Sequence, residues 1–247
     1  MKNKLKTVAR ILVPLLFWLA VWQVMSMIIG HTYFLPSVPK TFAALWSVIC
    51  SENFLKVVSL TLIRVIIGLT LGILFGIILA FFSHISEAVR ALMTPLISII
   101  KSTPVATFII ILWVMMDGDS LAIFIAILMV MPIIWQNMLD GYGSINQELS
   151  EVCDVFEFTF VKKMRILVLP TLMKFLIPAI ITASGLAWKS EIAAEIIAYT
   201  KHSIGQHIND AKYNFDTATV FAWTLIIIVM SIFIEKITKY FLGRYRR

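Results

Sequence analysis

Six stretches of this chain are apolar for long enough to cross a lipid bilayer, and that pattern constrains everything else about it. Read from hydropathy, they cover residues 8–29, 57–82, 88–116, 121–139, 170–198 and 217–242. A transmembrane helix needs roughly 20 apolar residues, and unpaired backbone groups cannot be left in hydrocarbon. Runs of this length predict a helical bundle, not a barrel. Charged residues are 14% of the sequence and hydrophobic ones 60%, whereas a soluble domain carries about 25% charged residues. The expected class is an all-α, multi-pass protein of the cell membrane, with the lipid bilayer as its first partner. The opening run from Val8 to Ile29 is too long for a signal-peptide core and lacks a small-residue cleavage site, so it reads as a retained helix.

The formal net charge of +7 follows from topology and does not require a nucleic-acid partner. Lys2, Lys4, Lys6, Arg10, Arg90, Lys162, Lys163, Arg165, Arg244, Arg246 and Arg247 fall on one side of a six-span arrangement. Lys40, Lys56, Lys201 and Lys212 fall on the other. The positive-inside rule puts both termini and the 140–169 loop in the cytoplasm. Cys50 and Cys153 then lie on opposite sides, which excludes a disulfide within one chain and a metal site built from them.

Within the spans, Gly68, Gly72 and Gly76 recur every four residues. They share one helix face, where a second helix can approach closely. Lys101-Ser102-Thr103-Pro104 interrupts the third run and predicts a broken or kinked helix. Arg64, Lys101, Lys189, Glu191 and Glu195 lie in apolar surroundings, and each would cost about 2.5 to 3.5 kcal/mol or more facing lipid. Two readings stay open for them: internal ion pairs, for example Glu195 with Arg64, or a polar lining of a solute path. His202, His207 and Asp210 fall in the segment YTKHSIGQHINDAKYNFD, read as a solvated external loop without a metal.

The longest charged passage is QELSEVCDVFEFTFVKKMRILVLP, Gln147 to Pro170. Its acidic start, alternating Phe156, Phe158 and Phe160, and basic end suit a docking surface for a partner outside the membrane. Aromatics folded back onto the membrane interface are an equal alternative. No Gly-Lys pair occurs anywhere, so no phosphate-cradling loop can be drawn, and no Ser-His-Asp set shares one membrane depth. Energy for any pumping must come from another subunit. A self-sufficient secondary carrier or channel is the main rival, and it would usually show repeated halves, which this sequence lacks.

The loop resembles the "EAA" signature of binding-protein-dependent ABC importer permeases. Glu151 takes the Glu position, Val152 and Cys153 the alanines, and Leu167, Leu169 and Pro170 the hydrophobic-x-Leu-Pro ending. Glu157 stands where the family has glycine in a tight turn. SLTLIRVIIGLTLGILFGIILA, KSTPVATFIIILW, GLAWKSEIAAEII, SIG and FDTATVFA extend the likeness to the nitrate/sulfonate/taurine branch. The resemblance implies a six-helix type I importer subunit without catalysis or a cofactor of its own. Its expected partners are a second copy of itself, two ABC ATPase subunits carrying ATP and Mg, and an extracytoplasmic solute-binding protein. It implies that Glu151, Asp154, Phe156, Glu157, Phe158, Leu169 and Pro170 form an ATPase-coupling loop. Glu151 would hold the loop's fold, Phe156 and Phe158 would enter the ATPase groove, and Pro170 would mark re-entry into the membrane. The implied solute is small, of the nitrate, sulfonate, taurine or thiamine-precursor type.

Overall fold

A computed structural model describes residues 2–31 and 33–243, with only the helix given for residues 2–9 and 11. Arg244, Arg246 and Arg247, and the side chains of Lys2, Lys4 and Lys6, therefore lie outside the described residues. The elements are α1 (Lys2–Ile29), α2 (Val38–Ile49), α3 (Phe54–Ile85), α4 (Glu87–Ser102), α5 (Val105–Trp113) and α6 (Gly118–Gly143). They continue as α7 (Gln147–Val155), α8 (Phe160–Lys163), α9 (Leu169–Ala198), α10 (Ile204–Tyr213) and α11 (Thr217–Gly243), and a π-helical turn, Met164–Val168, joins α8 to α9. Five helical segments are long and apolar enough to span alone, counting Phe160–Ala198 as one of them, and α4 with α5 forms a sixth, broken by a 99° bend.

The centre of the bundle is α6, packed lengthwise against α3 on one side and α9 on the other. The α3–α6 contact depends on the absence of side chains. A Cβ added at Gly68 would stand 2.5 Å from that of Ala126, one at Gly72 2.7 Å from that of Val130, and one at Gly76 2.7 Å from that of Ile134. Three successive turns of α3 thus meet three turns of α6 almost backbone to backbone, where van der Waals packing must do what the hydrophobic effect cannot do in lipid. Trp135 donates its indole N–H to Ser83 Oγ at 3.0 Å, and Trp188 donates to the Ile227 carbonyl of α11 at 3.1 Å.

Two ends of the bundle are distinguishable. At one, the close of α3, the start of α4 and the close of α6 converge, and His84 stacks on Tyr142 at 4.3 Å. At the other, α10 lies across α9, α11 and α3. This corrects the expectation of a solvated loop over YTKHSIGQHINDAKYNFD: Ser203 caps the helix by accepting from Gln206 N, and Ile204, Ile208 and Ala211 are buried. His207 stacks on Trp223 at 5.3 Å, and burial there pushes its imidazole below the usual value, against the pull of Asp210. Helix α1 stands apart, tied at its end by Trp22 Nε1 to the Pro36 carbonyl at 3.0 Å and by Ser26 Oγ to the Leu35 carbonyl at 2.9 Å.

The glycine contact yields a direct test. Gly72→Ala forces a methyl into Val130 and is expected to cost about 1–3 kcal/mol of stability by overpacking. Gly143→Ala, which meets nothing within 4 Å, should leave the melting temperature of the detergent-solubilised protein unchanged. Equal melting temperatures for both variants would refute the close approach.

Candidate functional site: a docking loop and a buried charge cluster

The loop between α6 and α9 is two short helices locked together. Asn146 caps α7, its Oδ1 accepting from Leu149 N at 3.0 Å, and Glu148 sits in the first turn where the helix dipole favours an anion. At the far end of α7, Glu157 N donates to Asp154 O and Phe158 N to Cys153 O. These are the two bonds of a Schellman close, which requires a left-handed residue between them. Glu157 supplies it at φ 50°. The tight turn is made without the glycine, at the steric cost that a Cβ carries in that region.

Thr159 caps α8, accepting from Lys162 N at 3.4 Å, and Lys163 Nζ reaches both oxygens of Asp154 at 2.7 and 2.8 Å. Asp154 is thus the acidic residue that joins the two helices. Glu151, expected in that role, accepts one side-chain bond among the described residues, at 3.4 Å from Gln147 of its own helix. Phe158 is half-buried with Lys162 Nζ 3.8 Å from its ring centroid, while Phe156 is 70% exposed. The exposed apolar surface is completed by Val152, Val155, Phe160 and Val161. Alternation in the sequence pointed to the three phenylalanines, but helical geometry groups Val155 and Val161 with Phe156 and Phe160 on the open face.

Leu169 and Pro170 do not end the loop. Both are exposed, and the helix runs without a break from Phe160 to Ala198. Pro170 has no N–H to offer the carbonyl four residues back. The turn before it widens, with Leu169 N donating to Met164 O. The boundary between loop and helix lies near Phe158, not at residue 170.

The charged residues expected to act together divide into three places. Arg64 of α3 bonds Glu195 Oε1 of α9 at 2.9 Å, Asp119 of α6 at 2.8 Å and the Lys201 carbonyl at 3.2 Å. Glu195 is fully buried and also accepts from Thr61 Oγ1 at 2.9 Å and Gly205 N at 3.2 Å. The start of α10 therefore aims the Gly205 N–H at this carboxylate, as helix N-termini do for anions, while the Ile204 N–H donates to Thr61 Oγ1 at 3.2 Å. Gly205 permits the approach, since a Cβ there would lie 2.5 Å from the Glu195 backbone. Glu191 is fully buried one turn away, and neither of its oxygens finds a partner among the described residues. Of the two readings left open for these residues, the geometry favours internal pairing at this place. Arg64 and Glu195 pair internally, and Glu191 is enclosed by its own chain.

Lys101 and Lys189, by contrast, are exposed and line separate cavities. Lys189 shares one of about 780 Å³ with Glu235 and Lys239, which pair with each other. Lys101 shares one of about 450 Å³ with Arg90. Among the described residues, no group of three or more His, Cys, Asp or Glu side chains could hold a metal.

Residues 72–247 match the family described as binding-protein-dependent transport system inner membrane component. The nitrate import permease protein NrtB of Synechococcus elongatus is 28% identical over 222 residues, covering 85% of this chain and 78% of that protein. The taurine transport system permease protein TauC of Escherichia coli is 20% identical over 221 residues, covering 87% and 80%. The methionine ABC transporter MetNI, solved in inward-facing conformations, superposes with a TM-score of 0.66 at 14% identity, over 80% of this chain and 100% of that one. At that identity the likeness is one of fold.

The two buried glutamates should respond oppositely to an uncharged substitute of similar size. Glu195→Met takes from Arg64 its fully buried partner, leaving Asp119 and the Lys201 carbonyl, and strands the Gly205 N–H, and is expected to destabilise by about 3–5 kcal/mol. Glu191→Met removes a polar group without a partner and is expected to stabilise by about 1–3 kcal/mol. Thermal unfolding of the purified chain measures both, and a loss of stability in Glu191→Met would contradict the enclosed, unpartnered carboxyl.

Proposed function

The chain belongs to the family of inner membrane components of binding-protein-dependent transport systems, and from that premise we propose how it works as the permease of an ABC importer. The α7–α8 loop is the docking element for a separate ATPase, which carries the ATP and Mg²⁺. The observation behind this is the exposed apolar surface of Val155, Phe156, Phe160 and Val161 on a loop otherwise made rigid by the Schellman close and the Asp154–Lys163 pair. A large apolar surface beyond the membrane marks a protein contact. A loop fixed by its own bonds moves as one body with the helix it is attached to. Because α8 continues into α9, displacement of the docked loop would move a span that reaches the far end of the bundle.

The basic residues near the termini and in the loop support a cytoplasmic location for both. A second copy of the chain completes the pathway on this reading. Helix α1, which exposes Leu12, Leu16, Phe17, Trp18 and Met27 and packs little on its own chain, is available to that copy or to lipid. An extracytoplasmic binding protein delivers the solute, which is small and of the nitrate, sulfonate, taurine or thiamine-precursor type. The chain itself performs no catalysis and holds no cofactor.

Phe156→Ala combined with Phe160→Ala removes the two most exposed aromatic rings of the loop. It should lower ATPase co-purification about tenfold or more while leaving the helical circular dichroism and melting temperature as before. Undiminished co-purification, with coupled ATP hydrolysis intact, would overturn the docking assignment.

A further inference from the structure

The structure separates the charges that a solute can meet from those it cannot, and this bears on what passes through. The polar residues of α4 recur as Arg90, Thr94, Ser98, Lys101 and Ser102, a spacing that keeps them on one helical face. All five line the 450 Å³ cavity, with Trp135, Gln136 and Leu139 of α6 opposite. No carboxylate borders it, and among the described residues neither Arg90 nor Lys101 forms an ion pair. Arg90 also borders the adjoining cavity of about 510 Å³ with His84, Asp140 and Ser144, so the groove opens at the end of the bundle that carries the loop.

Lys101 sits 14 residues beyond Glu87, about 21 Å along the helix at 1.5 Å per residue, against a hydrocarbon layer of about 30 Å. Within an apolar run of this length an ammonium is costly facing lipid and is favoured by water or an anion. The chain breaks immediately after it. The 99° bend between α4 and α5 brings the N-terminus of α5, with its unpaired N–H groups, to the same level. Interrupted helices near mid-membrane are where membrane carriers place their solute sites, and a helix N-terminus adds to the preference for negative charge. The acidic residues of the membrane interior do not offset this preference, because Glu191 and Glu195 are fully buried elsewhere.

We propose that the Arg90–Lys101 face of α4 is an anion-contact groove in the solute path, and that the imported solute carries negative charge as it passes. This rests on the permease reading and narrows its substrate class. Arg90 meets the anion at the loop end and Lys101 at the far end of α4, with Ser98 offering a hydrogen bond between them; Gln136 already donates to Asp140 at 3.1 Å. Two cations along one low-dielectric groove focus the field and raise the local anion concentration.

The groove can be tested in the full-length chain in membranes with Cys50→Ala and Cys153→Ala as background and Ser98→Cys as reporter. Its rates with a sulfonate-bearing and a trimethylammonium-bearing thiosulfonate are each normalised to the rate with a free thiol in solution. The anionic reagent should react about tenfold faster, Lys101→Gln should cut that preference at least threefold, and Lys101→Arg should retain it. A ratio near one, a preference for the cationic reagent, no response to Lys101→Gln, or a reporter that reacts with neither reagent would each overturn the proposal. Ser102→Cys serves as a second reporter if Ser98→Cys does not fold. The measurement needs no ATPase, so its outcome is read separately from that of the co-purification test.

Discussion

The buried side chain of Glu195 is the point on which the end of this bundle away from the loop depends. A carboxylate removed from water must be repaid in hydrogen bonds and opposite charge, and here the repayment comes from two separate stretches of chain. Thr61 and Arg64 are provided by α3, and Gly205 N–H by the start of α10. Arg64 extends the network to Asp119 at the head of α6. One buried anion thus fixes the relative positions of α3, α6, α9 and α10, and draws an otherwise polar segment down onto the helices.

The central layer holds by a different means. Along the middle of the α3–α6 contact, beyond the Arg64–Asp119 pair, the surfaces fit because Gly68, Gly72 and Gly76 have nothing to obstruct them. A polar clasp at one end and close backbone packing along the middle leave the other end free to carry the loop. Such a division suits a protein that must keep one region fixed while another is moved by a partner.

Much of this was legible in the residues. The period of four in the glycines specified a shared face, and the break at Lys101–Pro104 was visible because proline and lysine interrupt an apolar run. The pairing of Arg64 with Glu195 was one of two open readings, since sequence gives charge and depth but not direction. Asp119 is not marked as a partner for Arg64 in the sequence, because Met116-Asp117-Gly118-Asp119 has the composition of an ordinary polar turn. Helix α10 was hidden because only Ile204, Ile208 and Ala211 mark its buried face amid polar neighbours, although their i, i+4, i+7 spacing and the Ser203 cap were present to be found. The family resemblance placed a tight turn at Glu157, but its left-handed residue could not be read from the side chain, since the glycine that normally announces such a turn is missing.

The π-helical turn at Met164–Val168 has a geometric consequence. Relative to a regular helix it holds one surplus residue, and one residue is about 100° of azimuth. Side chains before and after it therefore face directions that an unbroken α-helix would not give them. Pro170, by denying the helix a hydrogen bond, acts in effect as a phase shifter: it sets the compass bearing of Phe160 and Val161 independently of the bearing that α9 needs to pack within its own bundle.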